Sequence, residues 1–231
     1  MFDTTDSTTH RRTFLGRLAA AGAAFGLGRL ATPSIASAHT LRPRSSAPFD
    51  SPFEAWLGKI TGKHKMIFDV SQPNSGFGLA WARVFLNSTN ETYGTTDAQN
   101  SVVVVLRHGG IPLGMASPMW EKYKLGEVFK FNDSASGKPA VYNPFVNVKP
   151  GTLPIPGMGV DELAKAGVLF GICNVALTVF SGMVAKSMNL TADTVKKDWV
   201  ANLLPGVEVV PSGVVAVAGA QEHGCAYCFA G

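Results

Sequence analysis

Five residues of this chain have chemistry that reaches beyond packing: Cys173, Cys225, Cys228, Arg107 and His108. A cysteine attacks as its thiolate, which needs partial exposure and a cationic group or helix N-terminus beside it. Cys173 closes the apolar run Gly167-Val168-Leu169-Phe170-Gly171-Ile172-Cys173 and is followed by Asn174. A short run of Val, Ile, Leu and Phe reads as a strand buried on both faces. In open α/β sheets, ligands gather at the carboxyl ends of such strands. Cys173 is therefore the candidate nucleophile. Arg107 and His108, at the end of another apolar strand, are its candidate cationic neighbours. The competing role for Cys173 is that of a buried, inert small hydrophobe.

Cys225-Ala226-Tyr227-Cys228 has the spacing of a redox pair. The segment reads as a strand, however, where an offset of three puts two side chains on opposite faces. One of the two thiols then faces Cys173, as a resolving partner or a structural disulfide. A zinc site would need a fourth ligand, for which His223 is the candidate. Haem attachment would need a histidine where Phe229 stands. No cofactor or metal is expected. With three cysteines, at least one thiol stays unpaired within the chain.

These residues need a scaffold, and the sequence supplies alternating strands and helices. Lys65–Val70, Ser101–Leu106 with its four consecutive valines, Val207–Val210 and Cys225–Phe229 read as further strands. Helices are expected from about Phe77 to Asn87, over Val160–Ala166, over Thr191–Leu204 and over Val214–His223. In the first, Phe77, Trp81, Val84 and Phe85 form an apolar stripe. In the third, Thr191 caps the start, and Val195, Trp199, Val200, Leu203 and Leu204 form the buried stripe. Continuous apolar strands alternating with helices define an α/β fold with a parallel sheet covered on both faces. Residues 131–158 are rich in Gly, Pro, Asn and Ser and read as a long loop, either functional or disordered. Its Tyr142 and Phe145, with Trp120, line a pocket near the same crest or pack over the sheet edge. Gly167–Ala185 carries no charge, yet Asn174 and Ser181 interrupt it, so it is not expected to span a membrane.

The N-terminus carries an address. Arg11-Arg12-Thr13-Phe14-Leu15 precedes a weakly apolar run, Leu18–Gly28, of about 11 residues, well short of the ~20 that cross a bilayer. Ala36-Ser37-Ala38 offers a small-residue cleavage site. Residues 1–38 thus read as a twin-arginine export signal cleaved after Ala38, which engages the twin-arginine translocon and delivers the protein to the periplasm. Residues 39–62 open with a Ser, Pro and Arg-rich stretch and read as a linker, leaving 63–231 as one domain. The net charge is +4, and four arginines against two aspartates place half of it in residues 1–38. The remainder has no basic stripe, so no nucleic-acid partner is expected.

The order of these signals resembles the DsrE-like family of α/β proteins, some of which take part in sulfur transfer. The segments that carry the resemblance begin with the strand ending in His108-Gly109, Asn143-Pro144, and Glu162–Val168 leading to Cys173–Leu177. They continue with Leu204-Pro205-Gly206-Val207-Glu208-Val209-Val210-Pro211-Ser212-Gly213-Val214, then Gln221, Gly224 and Tyr227. Together they span about residues 63–229. The loop at 131–158 and the cysteines at 225 and 228 lie outside the family pattern. The resemblance implies a flavodoxin-like, mostly parallel five-stranded sheet that tends to form homo-oligomers. It also implies a persulfide on Cys173, exchanged with a sulfur donor or acceptor protein. Two alternatives stand beside it: a non-catalytic periplasmic binding or assembly module, and a thiol redox protein using Cys225 and Cys228.

Overall fold

The computed structural model describes residues 51–231. The export signal at 1–38 and the stretch 39–50 of the expected linker lie outside the described residues.

Five strands form one all-parallel sheet in the order β4-β3-β2-β1-β5: β1 Lys65–Val70, β2 Ser101–Leu106, β3 Leu169–Cys173, β4 Val207–Val210 and β5 Ala226–Phe229. Parallel strands need crossovers, which here place helices on both faces and give a flavodoxin-like α/β fold. On one face, α2 (Phe77–Tyr93), α6 (Asn174–Ser187) and α7 (Ala192–Ala201) cover Phe68, Val70, Val104, Leu106, Phe170 and Ile172. The long β2–β3 crossover lies on this side and contains α3 (Ser117–Lys122), α4 (Leu125–Val128) and α5 (Val160–Lys165). On the other face, α1 (Pro52–Leu57) and α8 (Gly213–Glu222) cover Ile67, Val103, Val105 and Val210. The valines of β2 alternate between the two cores, so both faces of that strand are dry.

Three expectations need correction. First, residues 51–62 are not linker. Ser51 caps α1 by accepting the Glu54 N–H (3.1 Å), Pro52 starts the helix, and Trp56, Leu57 and Ile60 are core residues. Pro in the first turn stabilises a helix rather than breaking it, since its missing N–H would have no partner there. Second, most of the expected stripe of α2 faces outward: Phe77, Trp81 and Val84 are exposed, only Phe85 packs on the core beside Phe68, and Leu79, Ala82 and Leu86 face the sheet. Two sets of residues share helical spacing, and the smaller set wins because the helix packs close. A Cβ at Gly78 would stand 2.5 Å from the Val70 side chain, leaving no room for a tryptophan. Third, Val200 of α7 is exposed, whereas Val195 and Trp199 carry the buried face. Thr191 does cap this helix, accepting the Thr194 N–H at 3.2 Å.

The loop at 131–158 is tied down by one buried side chain. Asn143 donates to the carbonyls of Leu113 and Met115 (2.9 Å each) and accepts the Phe145 N–H at 3.0 Å. Phe145 and Trp120 sit in the core, with the Trp120 indole donating to the Pro112 carbonyl at 3.0 Å. Tyr142 stays exposed and donates to Asp133 at 2.6 Å. The aromatics of this region therefore pack or face solvent, and do not line the crest at Cys173. Among the described residues no helix is long and apolar enough to cross a membrane.

Candidate functional site

The topology marks one place on the crest. β3 leaves into α6 on one face, and its neighbour β4 leaves into α8 on the other. The two exits diverge, and a crevice opens between them, as at other points where the winding of an open α/β sheet reverses. It is a cavity of about 430 Å³ lined by Arg107, His108, Cys173, Phe180, Ser212 and Gly213 with several small apolar residues. That volume falls within the ~300–1,000 Å³ of small-molecule sites.

Cys173 ends β3 and is the N-cap of α6, a helix of 14 residues. Its Sγ accepts the Ala176 N–H at 3.3 Å. The N–H and the aligned peptide dipoles both place positive potential at the sulfur. The residue is 6% exposed and borders the crevice.

Arg107 follows β2 directly and reaches across to β1. Its Nε and Nη2 donate to Asp69 Oδ1 (2.6 Å) and Oδ2 (2.9 Å). Asp69 is 3% exposed and also accepts the Tyr227 hydroxyl from β5 at 2.9 Å. Asp69 thus ties together the ends of three adjacent strands. Its hydrogen bonds hold the Arg107 guanidinium above its ordinary pKa. Desolvation of the hydroxyl, with the bond to Asp69, raises that of Tyr227, so the phenol stays a donor. Over the Arg107 stem lies the first residue of α8. A Cβ at Gly213 would stand 2.5 Å from Arg107 Cβ, so only glycine lets the helix start here, with Ser212 capping it through the Val215 N–H (3.2 Å).

His108 is exposed and left-handed, with φ 47°, a conformation that costs a residue with a Cβ roughly 1–2 kcal/mol. Its ring lies edge-on to Phe180 at 5.5 Å. The Gln72 side-chain Nε2 is 3.1 Å from His108 Nδ1; with the amide donating, the imidazole carries its proton on Nε2. His108→Gly is expected to fold about 1 kcal/mol more stably than His108→Ala, because both delete the ring and only the backbone cost differs. Denaturant midpoints that rank alanine above glycine, as at an ordinary site, would show that the chain does not hold this turn.

The sequence candidates Cys173, Arg107 and His108 thus border one crevice. The other two cysteines do not join it. Cys225 lies in the core under α1 and α8, Cys228 packs toward the opposite core, and the sheet runs between them. β5 is three strands from β3, about 14 Å at ~4.8 Å per strand, whereas a disulfide needs Cα atoms within ~7 Å. Neither can serve as a resolving partner for Cys173 in this fold. Burial pushes the Cys225 thiol up to about 11, which leaves it protonated and slow at neutral pH. His223 Nδ1 bonds the Gly219 carbonyl at 2.8 Å. Among the described residues no group of three or more His, Cys, Asp or Glu is placed to hold a metal ion.

Asp69 and Gln72 escaped the sequence reading, and Tyr227 and Ser212-Gly213 entered it only as carriers of the resemblance, without a role at the site. A lone acid inside Met66-Ile67-Phe68-Asp69-Val70 is the signal that could have marked Asp69, since a carboxylate in a buried strand requires a partner.

No family model and no curated protein matches the chain. Among solved structures, it is similar to a protein of unknown function from Methanobacterium thermoautotrophicum, at 17% identity and a TM-score of 0.38, over 72% of this chain and 98% of that one.

Proposed function

We propose that this chain is an exported sulfur carrier of DsrE-like type, with the Cys173 thiol as acceptor. The observation that carries the reading is the placement of Cys173: the N-cap of a long helix, its sulfur accepting an N–H, on the wall of the crest crevice. A thiolate there attacks the outer sulfur of a persulfide donor, R–S–SH. The donor S–S bond breaks, the donor thiolate RS⁻ leaves with the electron pair, and Cys173–S–SH remains. No external oxidant or reductant is consumed, and the sulfur passes on to an acceptor protein.

Incubation with an uncharged organic hydropersulfide, benzyl hydropersulfide, is expected to add the mass of one sulfur to the intact protein. The gain should vanish in Cys173→Ser and persist in Cys225→Ser and Cys228→Ser. A gain that survives in Cys173→Ser would refute the assignment. The export part of the proposal rests on Arg11-Arg12 and Ala36-Ser37-Ala38. Periplasmic fractions should hold the protein, and the double lysine variant of the arginine pair should stay in the cytoplasm.

A second reading, a homo-oligomeric assembly module, is favoured by the exposed stripe Phe77, Trp81 and Val84 on α2. It predicts that Cys173→Ser keeps full activity in cells, where the carrier would lose it.

A further inference from the structure

The geometry points to a neutral, apolar organic persulfide as the sulfur donor at Cys173, rather than an oxyanion such as thiosulfate. This deepens the sulfur-carrier reading and rests on it. The reason is what the crevice offers a ligand. Its wall is made by Val175, Val179 and Phe180 of α6 and Val214 of α8. The three valines are 53%, 54% and 68% exposed, so each has apolar surface left to cover. Val175 and Val179 stand one turn apart on α6, with Phe180 beside them, and line the same crevice as the thiol.

Several of the groups that would bind an anion are already engaged, although Arg107 keeps further N–H donors and His108 keeps its Nε2. Arg107 carries the one fixed charge among the lining residues, and two of its donors are held by the buried carboxylate of Asp69. The pair is neutral, and the geometry is bidentate, which fixes the guanidinium in place. At the two helix starts, the Ala176 N–H is taken by Cys173 itself and the Val215 N–H by the Ser212 hydroxyl. A doubly charged donor would lose hydration here against a guanidinium whose charge Asp69 already balances. An alkyl or aryl group loses nothing by leaving water, and each buried methylene strengthens binding about fourfold. The volume of about 430 Å³ accommodates a body of benzyl size.

A series of methanethiosulfonate reagents tests this directly. In each, the thiolate attacks the sulfenyl sulfur and methanesulfinate leaves, so only the transferred group varies. Rates at Cys173, read by peptide mass and divided by the rate of each reagent with free cysteine, should rank benzyl above methyl by at least about tenfold. The anionic sulfonatoethyl reagent should fall at or below methyl. Val179→Asp, on an exposed position of this wall, should reduce the benzyl preference, the ratio of benzyl to methyl rate, at least fivefold. Equal normalised rates across the series, or a faster anionic reagent, would overturn the inference. The two proposals fail separately. Persulfide uptake from benzyl hydropersulfide with a flat reagent series removes the apolar donor and keeps the carrier. A steep series without persulfide uptake removes the carrier on which this donor assignment rests.

Discussion

Asp69→Ala is expected to lower the stability of the folded chain by about 2–4 kcal/mol, which a denaturant titration will show as a lower midpoint at nearly unchanged slope. The carboxylate is 3% exposed and accepts three hydrogen bonds, two from Arg107 and one from Tyr227. Removing it strands a guanidinium whose side chain is 28% exposed. Burial that incomplete puts the cost at the lower part of the ~3–5 kcal/mol seen when a buried pair loses one member. Tyr227 is about half exposed and turns its hydroxyl to water, so it adds little. The double variant Asp69→Ala, Arg107→Ala should recover part of the loss, since no charge is then left unpaired. If the double variant is less stable than Asp69→Ala alone by the full cost of an independent second deletion, Asp69 and Arg107 do not act as a pair.

The same network shows what could be read from the chain and what could not. β1, β2 and β4 run where their apolar residues place them, Lys65–Val70, Ser101–Leu106 and Val207–Val210. A strand buried on both faces needs apolar side chains at every position, and that demand leaves a continuous signal. Cys173 was legible for a related reason, because the apolar run that it closes ends where the strand does. The face of α2 was not legible. Phe77, Trp81 and Val84 share the helical period with Leu79, Ala82 and Leu86, and periodicity cannot say which of two stripes meets the sheet. The close approach at Gly78 decides it, and that is a property of the packed pair rather than of either stretch. The partners of Arg107 were hidden by distance along the chain: Asp69 is 38 residues away, and Tyr227 stands 158 residues from Asp69. Only the strand order β2-β1-β5 brings the three together. Local pattern thus located the candidate thiol, while the groups that set its surroundings are products of topology.

Trp56→Ala is expected to cost about 3–5 kcal/mol, the range for emptying a large core side chain. For a domain of this size that lowers the melting temperature by roughly 6–20 °C. The prediction separates a structural helix from a linker, because a residue in a linker would change stability by less than about 0.5 kcal/mol. Trp56 is 1% exposed, stacks on Phe53 with ring centroids 5.9 Å apart, and lies against Gly171 of β3. A Cβ at Gly171 would stand 2.9 Å from the indole, so ring and strand fit without a gap that the neighbours could close. Part of the loss is offset because the indole N–H is buried without a hydrogen-bond partner, and alanine removes that penalty along with the ring. Trp56→Phe should therefore cost less than half as much as alanine, keeping most of the contact and discarding the unpaired donor. Deleting residues 51–62 should be worse than either, since it uncovers Ile67, Val103, Val105 and Val210 together. A protein beginning at Lys63 that melts with the full chain would show that α1 covers nothing. The expected result is a chain that no longer folds cooperatively, because one of the two faces of its sheet has lost half its cover.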